Sequence, residues 1–220
     1  MEAKTLDEYF QIQDVVEDKV RDTVEEYGED AVKFLSLVTQ YLPAKDKLED
    51  PIRTLDVGCN TGYNVDLLQE KYGHAIGVDI NERHINRAQE LGRNCFLADM
   101  HLLDTVFPPS YFNLIFAKDV LEHSYNPDKV LKILYGLLKE DGYLVSFIPM
   151  DGGAHPQIVL DIKTGNPAHI WKTNYQDCEE RFRRAGFLNI EIHRHSVQKD
   201  IGHPRPIGDD IGIIVARKYL

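Results

Sequence analysis

The chain has 220 residues, 43% of them hydrophobic and 28% charged, which suits one folded domain with its own core and a small appendage. Its net charge of −11 is concentrated in residues 1–50, which carry 14 acidic and 6 basic side chains against 22 and 19 in the remainder. No basic stripe is present to hold a phosphate backbone, which disfavours a nucleic-acid partner, and no apolar run approaches the roughly 20 residues of a membrane span.

The N-terminus, "MEAKTLDEYFQ", is acidic and lacks the apolar core of a signal peptide. Three cysteines, Cys59, Cys95 and Cys178, are odd in number and widely spaced, which suits a reducing, cytoplasmic setting without disulfides or a zinc site. Apolar spacing predicts helices over 7–27 and 29–42, the second stopping before Pro43. Residues 1–50 thus read as an N-terminal helical cap, and "PAKDKLEDP" (43–51) as a polar linker to a domain over 51–220.

From residue 52 the pattern alternates. Strands are expected at 52–57, 74–80, 94–98, 112–117 and 143–148, with helices at 63–72, 82–91 and 127–139 between them. Asn81 is placed to cap the second helix. Asn126, Pro127 and Asp128 give the third a cap, a first-turn proline and an acid. This alternation implies a doubly wound α/β fold, a mostly parallel sheet with helices on both faces. Residues 150–172 read as irregular. A helix over 174–185 follows, opened by a capping box of Thr173 and Gln176. Two last strands, 187–197 and 210–218, have no helix between them and should pair antiparallel, completing seven strands with an antiparallel last strand.

The loop after the first strand, "LDVGCNTGYN" (55–64), carries the chemistry. A dinucleotide fingerprint would place glycines at 58, 60 and 63; this chain has Gly58, Asn60 and Tyr63, with Gly62 between. Asn60 tolerates left-handed backbone angles, so the turn survives while a close approach to pyrophosphate does not. Backbone N–H groups where the loop meets the helix are expected to face an anionic group. Asp79 ends the second strand and can accept from two ribose hydroxyls. That feature fits both a nicotinamide dinucleotide and S-adenosylmethionine (SAM). SAM carries ribose and adenine but no phosphate.

In order, "LDVGCNTG", "GVDI", "CFLADMHLL", "FNLIFAKDVLEH" and "LLKEDGYLVSFIP" resemble a class I SAM-dependent methyltransferase of the small-molecule type, across about residues 52–149. The resemblance implies a Rossmann-like fold with SAM as cofactor. Asp56, Gly58, Cys59, Asn60 and Gly62 would surround the methionyl part, and Asp79 with Ile80 the ribose. Asp99 and Met100 would meet the adenine, and Ala117 and Lys118 would lie near the methyl donor. Asn60 departs from the glycine that many members have.

The acceptor is expected to be a small molecule methylated on O, N or C. It would be met by the N-terminal helices, the 118–125 loop and substrate-side loops over 150–172 and 198–209. His123, His155 and His169 are the candidate catalytic bases, with Glu122 beside the first. Asp151, Asp161, Trp171, Tyr175, His203 and Arg205 are further acceptor-side residues, and Trp171 reads better as packing than as a stacking platform. The histidine separations match no compact metal motif. A silent methyltransferase-like SAM-binding or interaction module is the alternative from another class, and a protein or RNA acceptor the alternative substrate. Asn60 and Tyr63 disfavour a nicotinamide oxidoreductase. The sequence assigns no oligomeric state.

Overall fold

The computed structural model describes Leu37, residues 39–151, Trp171, and residues 173–196 and 209–219. The predicted helix over 7–27, most of the one over 29–42 and the bulk of the 150–172 and 198–209 segments lie outside these. The described end of the second helix does stop before Pro43, at Tyr41, with Leu42 in a bend.

Among the described residues seven strands form one sheet. They are β1 (Thr54–Val57), β2 (Ala75–Asp79), β3 (Cys95–Leu97), β4 (Phe112–Lys118), β5 (Leu138–Asp151), β6 (Asn189–Ser196) and β7 (Asp209–Arg217). Their order is β3-β2-β1-β4-β5-β7-β6. The first five are parallel, and β7 inserts antiparallel between β5 and β6. Among the described residues the longer helices that connect or follow the strands are α1 (Tyr63–Tyr72), α2 (Glu82–Glu90), α3 (Pro127–Leu137) and α4 (Tyr175–Ala185), with a single helical turn at Leu103–Val106 before β4. The fold is the doubly wound sheet that the alternation of strands and helices predicts.

Burial follows the pleat. Alternate residues of β4 point to opposite faces: Leu114 and Phe116 join the core with Val65 and Leu68 of α1 and Ile85 of α2. Ile115 and Ala117 join the core with Leu131 and Leu134 of α3 and Phe182 of α4. A central strand buried on both faces is why "FNLIFA" reads as a continuous apolar run rather than an alternating one.

Helix starts are fixed locally. Asn81 accepts from the N–H groups of Arg83 and His84, and Asn126 from that of Lys129 ahead of Pro127. The expected Thr173–Gln176 capping box does not form. Asn174 is the cap, its Oδ1 accepting from Asp177 N–H at 2.9 Å, while the Thr173 hydroxyl donates to the Asp177 carboxylate. The Asn174 side chain sits one residue nearer the helix, and its amide oxygen reaches the third N–H directly. Strand β5 is also longer than expected. It starts at Leu138, where α3 has ended, and a register irregularity between Phe112 and Leu114, which face Leu138 and Tyr143, absorbs the residues between those two, with Asp141 at φ 60°.

Candidate active site

Strand order reverses between β1 and β4, so their carboxyl ends flank a crevice, as open α/β sheets require of a ligand site. A cleft lies there. Val57 and Gly58 line it from β1, Asp79 and Ile80 from β2, and Asp99 and Met100 from the end of β3. Asp119, Val120 and His123 close it past β4.

The glycine loop explains the departure from the dinucleotide pattern. Gly58 takes φ 72°, Asn60 φ 50° and Gly62 φ 84°, so the turn is left-handed three times in five residues. Every backbone N–H from 58 to 62 is satisfied inside the fold. Those of Gly58 and Cys59 both donate to Val78 O, that of Asn60 to Asp79 Oδ2 at 2.9 Å, that of Thr61 to Asn60 Oδ1 at 2.7 Å and that of Gly62 to Cys59 O. A phosphate cradle needs such groups pointing at the ligand. The loop's own N–H groups are therefore turned inward: β2 supplies the acceptors for residues 58–60, and the loop itself those for Thr61 and Gly62. Arg93 anchors the end of the loop, donating to Thr61 O and pairing with Asp66.

Gly58 is required by space as well as by angle. A Cβ there would lie 2.5 Å from Val120 Cγ2, so the β1 loop and the β4 loop touch at the floor of the cleft. Gly58→Ala is expected to cost about 2–3 kcal/mol by thermal denaturation. Val120→Ala in the same chain should return part of that loss, because it removes the Cγ2 contact but leaves the residue 120 Cβ, 2.7 Å from the added carbon, and the φ penalty.

Carboxylates dominate the electrostatics. Asp56 is buried at 1% exposure in β1, and neither of its oxygens makes a hydrogen bond of full geometry. Burial and the Asp79 charge push its carboxyl up to about 8, with Lys118 and the Asn64 amide offsetting only part. Asp79 holds the loop through Oδ2, and its Oδ1 accepts from Asn81 N–H at 2.8 Å. Asp99 is pushed up by burial, but hydrogen bonds from the His101 ring and N–H outweigh this and leave it below the usual carboxylate range. Asp119, at φ 49°, pairs with Lys118 at 2.6 Å. Three carboxylates around one crevice, those of Asp79, Asp99 and Asp119, disfavour a pyrophosphate and favour a cation.

The structure brings most of the predicted cofactor residues to one end of the sheet and sorts them by depth. Gly58, Asp79, Ile80, Asp99 and Met100 line the cleft. Asp56 and Cys59 lie buried behind it, and Asn60 turns its amide oxygen into the loop rather than outward. Ala117 is fully buried in β4 and Lys118 turns to Asp119, so the β4 contribution to the lining comes one to three residues later, from Asp119 and Val120. Asp119 was readable only as a polar residue after an apolar strand; its left-handed turn is the tertiary feature.

Of the candidate bases, His123 lines the cleft, while His155 and His169 lie outside the described residues, as do Asp161, His203 and Arg205. Trp171 packs in the core. Its backbone N–H donates to Glu122 O and its indole N–H to Asp177. The ring of Tyr175 lies under the Arg194 guanidinium, and the described part of Asp151 is its place at the end of β5. His101, two residues past Asp99, is the residue that sequence reading passed over; its only signal was a histidine inside "ADMHLL".

A family model described as a methyltransferase domain matches residues 27–192. Phosphoethanolamine N-methyltransferase 1 of Zea mays is 28% identical over 109 residues, covering 47% of this chain and 22% of its own length. The tRNA U34 carboxymethyltransferase of Aeromonas salmonicida is 26% identical over 150 residues, 63% of this chain and 45% of that protein. The chain thus spans less than half the length of these relatives. A crystal structure of a SAM-dependent methyltransferase from Archaeoglobus fulgidus shares the fold, with TM-score 0.68 and 21% identity over 93% of this chain and 98% of that one. No helix among the described residues is long and apolar enough to cross a membrane. With the family match running over three quarters of the sequence and the sheet order and cleft in agreement with it, the chain belongs to the class I SAM-dependent methyltransferases.

Proposed function

We propose that the protein transfers a methyl group from SAM to a small-molecule acceptor. The observation that carries this is the loop at 58–62: its N–H groups are all taken within the fold, in a cleft rimmed by carboxylates. That site fits a cationic cofactor with ribose and adenine and opposes a pyrophosphate.

On this reading Asp79 holds the ribose hydroxyls. Two of its roughly four acceptor positions are used by Asn60 and Asn81, which leaves two for hydroxyls. Asp99 accepts from the adenine amine, with Met100 and Ile80 against the ring and sugar. Asp56, Gly58, Cys59, Asn60 and Gly62 shape the methionyl end, where the buried Asp56 carboxylate faces the positive charge. Ala117 and Lys118 support the β4 side of the pocket from behind Asp119. When bound, SAM supplies an electrophilic methyl on a sulfonium. The chain's own task is to align the acceptor, exclude water and, where the acceptor atom carries a proton, remove it. His123 is the candidate for that removal inside the cleft, with His155 and His169 as further candidates.

The topology supports the assignment of residues 150–172 and 198–209 to the acceptor side. Asp151 pairs with Asp209 and Ser196 with Asp210, so β5 ends, β6 ends and β7 begins at the same edge of the sheet as the cleft. The residues before Leu37 are assigned to the same side as a helical cap. A small acceptor is favoured over RNA by the net charge of −11 and by the acidic rim.

The test is transfer of labelled methyl from SAM into fractionated cell extract, with calorimetry of SAM and NAD alongside. SAM is expected to bind and label to enter the small-molecule fraction. Label entering only RNA or protein would overturn the acceptor class, and tight NAD binding without SAM binding would overturn the activity.

A further inference from the structure

Behind the cleft lies a chain of hydrogen bonds that the methyl-transfer reading leaves without a purpose. His101 is fully buried. Its Nδ1 lies 2.7 Å from Asp99 Oδ1, and its backbone N–H donates to the same oxygen at 2.8 Å. Its Nε2 lies 2.9 Å from Ser124 Oγ, which itself accepts from Asn126 N–H at 3.1 Å. The imidazole stacks on Tyr125 with ring centres 3.8 Å apart and planes 16° from parallel.

For a neutral imidazole, hydrogen-bond logic fixes the proton positions. An ionised carboxylate only accepts, so His101 Nδ1 carries hydrogen. A neutral ring then has a bare Nε2, which accepts a hydrogen bond from the Ser124 hydroxyl, and Ser124 Oγ still accepts from Asn126 N–H. Every member of the network is satisfied with no charge beyond that of Asp99. Both bonds to Asp99 fall on Oδ1 and come from one residue, which sets the rotation of the carboxylate and leaves Oδ2 for a ligand.

We propose that His101 is a positioning residue for base recognition: through the Asp99–His101–Ser124 relay it orients the Asp99 carboxylate so that the site selects a 6-amino purine. The inference rests on the reading that Asp99 meets adenine. The relay also ties Asp99 to residues 121–126, the loop that carries His123, so the base-recognition side and the acceptor side of the cleft share one rigid support. A hypoxanthine base presents a carbonyl where adenine has its amine, and an oriented carboxylate rejects it by repulsion. A carboxylate free to rotate turns away from the carbonyl and loses that selectivity.

The experiment compares S-adenosylhomocysteine with S-inosylhomocysteine by calorimetry on the full chain. Wild type is expected to prefer the adenine compound by about 100-fold, the scale of one hydrogen bond to a charged group. His101→Ala should reduce the preference to under about tenfold, while His101→Asn, whose amide can still donate near the Nδ1 position, should keep most of it. Equal preference in wild type and His101→Ala overturns the proposal. So does equal collapse in His101→Ala and His101→Asn, which marks a purely structural role. Asp99→Asn separates the two layers. If it leaves the preference unchanged, the adenine reading itself fails; if it abolishes the preference while His101→Ala does not, only the role of His101 fails. Nitrogen NMR of the unliganded wild type is an independent check, expected to show Nδ1 protonated and Nε2 bare. The opposite tautomer overturns the relay whether or not the alanine variant folds.

Discussion

Asp79→Ala is expected to lower affinity for SAM and for S-adenosylhomocysteine by at least roughly a hundredfold, with the loop loosened before any ligand arrives. The side chain is nearly buried and does two jobs at once. Oδ2 accepts from Asn60 N–H and Oδ1 from Asn81 N–H, so it joins the β1 loop to the start of α2. Alanine leaves both N–H groups without their acceptor at about 1.5–3 kcal/mol each, before any ribose contact is counted. Asp79→Asn keeps the shape but offers one acceptor oxygen instead of two, so it should fall between wild type and alanine. Calorimetry of both ligands, with hydrogen exchange at residues 58–62, measures the two effects separately. An alanine variant that binds SAM normally would remove Asp79 from the cofactor site.

Asp56→Asn should move stability and binding in opposite directions. Burial beside Asp79 raises the Asp56 carboxyl from its ordinary value to about 8. An acid raised in the folded state keeps a proton that the unfolded chain has already lost. Stability therefore falls as pH climbs from about 4 to about 8, and the full penalty stands above that. Asparagine removes the penalty. The variant is expected to be more stable than wild type near about pH 9, by on the order of 5 kcal/mol, with the gain vanishing toward about pH 4. Urea denaturation at both ends of that range reads it directly.

Binding should show the reverse. A cationic methionyl end is the partner that makes a buried carboxylate favourable, so wild-type affinity for SAM should rise between about pH 6 and about pH 8 as binding no longer has to expel a proton. The asparagine variant should bind at least roughly tenfold more weakly, with little pH dependence over the same range. Stability given up for a ligand is the usual mark of a functional residue. If Asp56→Asn is less stable than wild type at alkaline pH, the carboxylate has an internal partner and this account of it is wrong.

Several features could be read from residues alone because short-range chemistry decides them. Helix α1 runs from Tyr63 to Tyr72 as its pattern predicts, since Gly62 before it and Gly73 after it supply the end geometries. Asn81 and Asn126 cap where they were expected to. Asn60 adopts the left-handed angle that its residue type permits. The antiparallel pairing of the last two strands followed from the lack of a crossover helix between them. The Thr173–Gln176 box failed for an equally local reason, since two neighbouring residues competed for one cap and Asn174 was nearer.

The sequence by itself determined the alternation of strands and helices, and therefore the parallel sheet and the end of it where a ligand would sit. It also determined that the loop at 55–64 is wrong for a pyrophosphate. Only the tertiary structure decided why. The acceptors for the N–H groups of Gly58, Cys59 and Asn60 are Val78 O and the Asp79 carboxylate, some 20 residues later in the chain and adjacent only because β2 pairs with β1. The same holds for the burial of Asp56 and for the path from Asp99 through His101 to Ser124. Propensity and capping act within a few residues and leave their mark in the local pattern. Desolvation and the choice of hydrogen-bond partner depend on which strands lie side by side, and that is settled when the sheet assembles.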